Sequence, residues 1–353
     1  MATEKERGIE ANNQEFSRYE QVNKQQSYQL TEKEGKDQFD DEFVIKTCDM
    51  RLLSGSESDK KQFVNDLGEA MEQIGFVILE GHGIDTSIYK EGEQKVSELF
   101  EKIPLQERMQ FKAKRFGSVN QGYFPLKETT IIHPDLVEGW VFCRRAFDFG
   151  QEGYKQSDYW PDGDYESFFR KMVVEHEALF LPIMQSILSY LGCDPHLYDK
   201  KLSKTNFGFR LNYYPPMEES DIASGAGRML GHEDVDLFTI LPAQSVDGLQ
   251  VLNRKNMKWI HLHPPEGSII INTGDYMQRI TNDRLPSTTH RVSKPKNASY
   301  GKPRITFPTA VYVWEDEILE VLPCCGEPKY EPIRAEEFHT RITSKYYGDE
   351  YAK

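Results

Sequence analysis

Between Asn206 and Val313 the chain becomes a succession of short strands, and that succession limits the folds open to it. The segments Asn206–Tyr214, Leu237–Leu241, Leu249–Leu252, Trp259–Leu262, Ser268–Asn272 and Arg304–Val313 are rich in β-branched and aromatic residues and separated by turn residues. The last one alternates, with Ile305, Phe307, Val311 and Val313 on one side and Arg304 and Thr306 on the other. Upstream the period is helical. Phe63, Leu67, Ala70, Met71 and Ile74 predict a helix over Asp59–Ile74 that Gly75 ends, followed by a buried strand at Phe76–Leu79. A second helix is expected from Ile88 to Glu101. A third pattern runs from Tyr165 to Leu191, kinked or split by Pro182 and stopped by Gly192. Helices first and antiparallel-type strands afterwards predict an α+β layout or a jelly roll carrying helices. No internal repeat is present.

The chain divides accordingly. Residues 1–41 read as a polar tail, too poor in apolar side chains to offset the entropy of ordering. Residues 42–200 are expected to be mainly helical with a few strands, 201–346 to form the jelly-roll core, and 347–353 a C-terminal tail. A hydrophobic content of 38% over 353 residues suffices for a core. The net charge of −14 disfavours a nucleic-acid or anionic-membrane surface. The 5 cysteines lack framework spacing, which points to a reducing compartment, with Cys324 and Cys325 as free thiols. Met1 to Lys5 lack a signal-peptide core, and no run of about 18 apolar residues exists, so a soluble, cytoplasmic protein is expected.

The chemistry-bearing residues lie in the strand-rich part. His232 and Asp234 are two apart and leave the same face of a β-strand, while Glu233 between them points the other way. His290 supplies a second imidazole downstream. Two histidines and one carboxylate on one side of a metal form the facial triad of non-haem Fe(II) oxygenases, leaving positions open for O2 and substrate. Asp236 shares the parity of Asp234 and is a rival carboxylate, although an i, i+2 chelating pair suits one ion better. His176 falls on the apolar face of the long helix and reads as a core histidine with a hydrogen-bond partner. His261 and His263 read as polar residues at a strand end.

An ordered set of motifs surrounds the triad: Arg210-Leu-Asn-Tyr-Tyr-Pro-Pro216 before it, Asn272-Thr-Gly-Asp275 leading to the second histidine, Leu285-Pro-Ser-Thr-Thr-His-Arg-Val292 around that histidine, and Arg304-x-Thr306. From about Gln62 to about Tyr346 the chain resembles the isopenicillin N synthase-like family of Fe(II)/2-oxoglutarate-dependent dioxygenases. The resemblance implies a double-stranded β-helix core with N-terminal and flanking helices. It also implies Fe(II), 2-oxoglutarate and O2 as metal, cosubstrate and oxidant, with His232, Asp234 and His290 as ligands. Arg304 and Thr306 match the pair that grips the distal carboxylate of 2-oxoglutarate, for which a planar guanidinium fork is suited. Relatives more often carry serine at the second position, and threonine keeps the hydroxyl. Tyr214 matches a residue that helps seat the cosubstrate. Glu233 stands where many relatives have threonine, and residues 294–301 look like a loop insertion.

On the substrate side the resemblance points to Gln278, Arg144 and Arg145, strand parity with Tyr214 adds Asn212, and the arginines suggest a small metabolite carrying a carboxylate. The implied reaction oxidises that metabolite by hydroxylation, desaturation or ring closure, with succinate and CO2 as coproducts. Two rival readings remain: an iron oxidase of the same fold that uses no 2-oxoglutarate, and a non-catalytic ligand-binding protein on the scaffold. An intact triad argues against the second. Oligomeric state is not indicated.

Overall fold

The computed structural model describes residues 39–116, 119–126, 136–147, 155–203, 205–217, 228–293 and 301–347. Most of the expected polar tail, the stretch 294–300 and residues 348–353 lie outside the described residues.

Helix α1 (Glu57–Ile74) starts where Ser56 and Asp59 form a capping box and stops at Gly75, whose φ of 71° is left-handed. It buries Phe63, Leu67, Ala70, Met71 and Ile74, the stripe that its period predicted. Helix α2 (Ser87–Ser97) runs on through one π-helical turn to Lys102. The long third pattern is two helices, α3 (Gly163–Glu177) and α4 (Phe180–Leu191), with the break just before Pro182. His176 is fully buried between Tyr89 Oη, 3.1 Å away, and Thr309 Oγ1, 2.6 Å away, so it is a core histidine with partners on both ring nitrogens.

Among the described residues the strands form three sheets: two large ones that build the core and a two-stranded pair, Ile318–Leu319 with Ile333–Arg334. Those of the larger are β1 (Thr47–Asp49), β2 (Phe76–Glu80), β3 (Lys114–Phe116), β4 (Val119–Phe124), β5 (Glu138–Cys143) and β6 (Asn206–Tyr214). The four of the smaller sheet begin with β7 (Met229–His232); β8 (Phe238–Pro242) returns to the larger sheet, and β9 (Leu249–Asn253) and β10 (Lys258–His261) to the smaller. Strand β11 (Ile269–Thr273) is in the larger sheet, β12 (His290–Val292) in the smaller, and β13 (Arg304–Thr306) and β14 (Thr309–Tyr312) in the larger. The larger sheet has the order β1-β2-β11-β8-β14-β6-β5-β4-β3 with β13 also paired to β6, and the smaller the order β10-β9-β12-β7. This is the jelly-roll, α+β architecture that the order of elements predicted.

Both faces of the larger sheet are covered, which explains why β2 and β11 read as unbroken apolar runs. Val77, Leu79, Ile269 and Ile271 pack toward the helices with Phe63, Leu67 and Met71. Phe76, Ile78 and Ile270 pack the other way, against Val251 and Ile260 of the smaller sheet. On β6, likewise, Phe207, Phe209, Leu211 and Tyr213 join the helix-side core. Asn212 and Tyr214 therefore face into the space between the sheets.

Strands from either side of the border near residue 200 pair, β2 with β11 and β5 with β6. Two expectations are corrected. The expected strand Arg304–Val313 is two strands, since Pro308 interrupts the ladder and its carbonyl accepts from the Arg210 amide at 2.9 Å. Cys324 is not a free thiol: it is bonded to Cys193, 131 residues earlier, with the Cα atoms 5.4 Å apart. The fold brings the turn after α4 beside the 3₁₀ turn at Pro323–Cys325, a proximity that cysteine spacing does not encode. Cys48, Cys143 and Cys325 are free. Among the described residues, no helix is long and apolar enough to cross a membrane.

Candidate active site

His232 ends β7 and His290 begins β12, and the two are directly opposite in the ladder. Their rings lie 4.3 Å apart between centroids. Asp234 lies beyond β7, in the connection to β8, so strand parity is not what aims it. Its Oδ2 instead accepts from Thr239 Oγ1 at 2.6 Å and from Asn272 Nδ2 at 2.7 Å, a cross-strand pair of β8 and β11. Its Oδ1 then stands 3.8 Å from His232 Nε2 and 3.9 Å from His290 Nε2. These separations are too long for hydrogen bonds. One ligand atom from each of the three residues lies within 4.8 Å of the others, as donors around a single ion would.

The surroundings of the histidine prepare it for a cation. His290 Nδ1 lies 3.1 Å from the Thr288 carbonyl, and because a carbonyl can only accept, Nδ1 carries the proton and Nε2 the free lone pair. Phe76 stands edge-on to the ring at 5.4 Å. Burial alone would raise the Asp234 carboxyl, but His290, His232 and the two hydrogen bonds outweigh it and hold the group below the ordinary carboxylate range.

Asp236 does not compete for the ion. Among the described residues it is outside the ligand cluster, fully buried beneath Gly274, where an added Cβ would sit 2.4 Å from its carbonyl oxygen. Burial, and then the charge of Asp234, push its carboxyl well above the ordinary value. Thr239 Oγ1 lies 2.7 Å from Asp236 Oδ2, yet one hydroxyl proton cannot serve two carboxylates. Thr239 Oγ1 sits between a carboxyl held low, Asp234, and one pushed up, Asp236. Glu233 points away from the cluster, as expected, and accepts from Thr289 at 2.7 Å.

A second pair of cross-strand neighbours stands on β13 and β6, Arg304 opposite Tyr214 and Thr306 opposite Asn212. Arg304 is 1% exposed, with its guanidinium carbon 5.1 Å from the centre of the Tyr214 ring. Its Nη2 donates to Gln244 Oε1 at 2.7 Å and its Nε to the Val246 carbonyl at 3.2 Å. Both acceptors are neutral, so the guanidinium is held in place while its charge stays unneutralised by them. Sequence reasoning missed Thr239, Gln244 and the carboxyl-holding role of Asn272. The pairing of β8 with β11 shows what Thr239 and Asn272 hold, and Gln244 is met by Arg304 of β13, 60 residues on.

The remaining substrate candidates part company. Asn212 is buried on the face it shares with Tyr214, beside Gly139 of β5. Gln278 is on a helix, α5 (Asp275–Ile280), and not on a strand. Its Oε1 accepts from the Ser287 amide at 2.7 Å and its Nε2 donates to Asp283 at 3.0 Å, so both ends brace the segment leading to His290. Arg144 pairs with Glu177, donates to the Thr205 carbonyl at 2.9 Å and lies over Phe207. Arg145 makes a two-pronged pair with Glu315 at 2.7 and 2.6 Å. The register sets Cys143 against Gly208, whereas Tyr214 is at the far end of β6, roughly 20 Å along the strand. These arginines tie β5 to α3 and to the turn after β14. His261 stacks on Phe39 at 4.3 Å, and His263 lies 3.5 Å from Asp247, both outside the cluster.

Comparison with known proteins bears directly on this geometry. Residues 205–310 match the model of the 2OG-Fe(II) oxygenase superfamily, and residues 45–163 that of the non-haem dioxygenase in morphine synthesis N-terminal family. The chain is 30% identical over 271 residues to DMR6-like oxygenase 1 of Arabidopsis thaliana, covering 75% of this chain and 73% of that protein. It is 29% identical over 293 residues to feruloyl CoA ortho-hydroxylase 2 of the same plant, covering 80% of this chain and 76% of the relative. A full-length Neurospora crassa protein solved with alpha-KG and 5-formyluracil superposes with a TM-score of 0.75 at 23% identity, over 87% of this chain and 97% of that one. The chain belongs to the 2OG-Fe(II) oxygenase superfamily. It is a non-haem dioxygenase that uses Fe(II), 2-oxoglutarate and O2. The donor set fits such a metal, two imidazoles and a carboxylate with no thiolate among them.

Proposed function

We propose that the protein oxidises a small organic metabolite by hydroxylation, desaturation or ring closure while 2-oxoglutarate is converted to succinate and CO2. In this reading His232, Asp234 and His290 hold Fe(II), and Arg304, Thr306 and Tyr214 seat the cosubstrate. When bound, the iron supplies the redox chemistry by which O2 is activated. The chain's own groups do the rest. Asp234 contributes the one negative ligand, and the Thr288 carbonyl holds His290 in the tautomer that ligates. Arg304 anchors the carboxylate remote from the metal, and Asn212, next to it on β6, is the polar group placed for substrate. The observation that carries the reading is the convergence of the three ligand atoms within 4.8 Å. Two of the similar proteins, a feruloyl CoA ortho-hydroxylase and one solved in complex with 5-formyluracil, support small organic molecules as a class. Arg144 and Arg145, the groups expected for a substrate carboxylate, pair with Glu177 and Glu315.

Anaerobic addition of Fe(II) and then 2-oxoglutarate tests the proposal through the weak visible charge-transfer band of the chelate. Arg304→Ala should weaken 2-oxoglutarate binding by about 2–5 kcal/mol while Fe(II) binding survives. No band in the wild type, with unassisted O2 consumption, would transfer the protein to the oxidases that need no keto acid.

A further inference from the structure

Arg228 belongs to none of the motifs, yet it is the residue whose situation most requires a ligand. It stands immediately before β7, four positions ahead of His232, and its side chain is 0% exposed. Its Nη2 donates to the Lys302 carbonyl at 2.9 Å, but among the described residues Nε and Nη1 have no hydrogen-bond partner. A guanidinium offers donors only, so buried N–H groups are left without acceptors. Its electrostatic neighbours are Arg304 and Tyr214. Burial, and then the like charge of Arg304, press its guanidinium down to about 10, still a cation at neutral pH.

Two buried arginines thus share one end of the space between the sheets, Arg304 on the larger and Arg228 at the start of the smaller. Arg304 has neutral acceptors, Gln244 and Val246, and Arg228 has one carbonyl. Asp247 and Tyr214 favour the charge of Arg304, but no carboxylate is among the electrostatic neighbours of Arg228, and holding a second like charge out of water there is costly unless an anion arrives between the two. A brace to the Lys302 carbonyl would need one donor and no charge.

We propose that Arg228 is a second guanidinium for the distal carboxylate of 2-oxoglutarate, closing on it from the smaller sheet while Arg304 holds it from the larger. The inference rests on the proposed role of Arg304 and extends it. Fork geometry from two sides fixes the position of a carboxylate as well as its charge, so the pair sets selectivity for 2-oxo acids that carry a terminal carboxylate at this length.

The test uses the full chain, anaerobic with Fe(II), titrated calorimetrically with 2-oxoglutarate and with 2-oxopentanoate, which lacks the distal carboxylate. Wild type should prefer 2-oxoglutarate. Arg228→Met should weaken 2-oxoglutarate roughly 10- to 100-fold, leave 2-oxopentanoate unchanged, and keep or raise the melting temperature of the ligand-free protein. Arg228→Lys, which keeps the charge without the fork, should lose part of the preference. Equal weakening of both acids, or a lowered melting temperature with 2-oxoglutarate affinity intact, would make Arg228 a brace and overturn the proposal. Arg304→Met separates the two ideas. If it abolishes the preference and the Arg228 variants do not, only the second guanidinium fails. If wild type shows no preference, the assignment of Arg304 fails with it.

Discussion

Asp234 and Asp236 are the same residue type two positions apart, and the fold shifts their carboxyls in opposite directions. Two imidazoles, Thr239 and Asn272 hold Asp234 low, whereas burial and then the charge of Asp234 push Asp236 up. Replacing Asp236, which is outside the ligand cluster, by its neutral isostere should therefore do little. Asp236→Asn is expected to retain iron through gel filtration, whereas Asp234→Ala should lose it, with metal content read by elemental analysis. Equal loss in both variants would return Asp236 to the ligand set. The sequence already held the rivalry between the two, and parity could not decide it. The deciding partner, Asn272, is 38 residues from Asp234.

At the level of elements, a helix stop far from the metal in sequence supports a ligand. Gly75 ends α1 at a φ of 71°, and a Cβ there would meet the Pro286 carbonyl oxygen at 2.3 Å. Thr273 Oγ1 donates to that same carbonyl at 2.6 Å. Pro286 lies in the segment that brings His290 to β12, so the left-handed glycine and the ligand share one support. Gly75→Ala should cost at least the 1–2 kcal/mol of left-handed strain and lower iron affinity as well. Chemical denaturation and metal titration of the same variant measure the two effects, and lost stability with unchanged iron binding would uncouple them. Gly75, the split at Pro182 and the alternation around Arg304 were legible because each is a local signal. The partners of Gln278, Arg144 and Arg145 were not legible, because Ser287, Glu177 and Glu315 come from other elements. No pattern along one strand reveals such partners.

For the molecule as a whole, buried neutral histidines set the acid limit of stability. Burial, and then His82, push His176 from 6.5 to about 3, and burial, then Arg115, push His339 to about 4. Each is neutral in the folded protein, while the unfolded chain takes up the proton below about 6.5. The unfolded state binds more protons between those values, so stability falls as pH drops from about 6.5 toward 3, at up to about 1.4 kcal/mol per pH unit for each group. Urea unfolding at pH 7.5 and 5 should show a smaller decrease for His176→Gln than for wild type; the same decrease in both would assign the acid sensitivity elsewhere. The bond between Cys193 and Cys324 has a further consequence, for the chain as a thread. It closes a covalent ring, and that ring contains His232, Asp234, His290, Arg304 and both sheets' central strands. One protease cut anywhere inside the ring would leave the fragments joined. A nicked molecule would run as a single band on an electrophoretic gel until a reductant opened it, and both halves of the metal site would stay on one connected polymer.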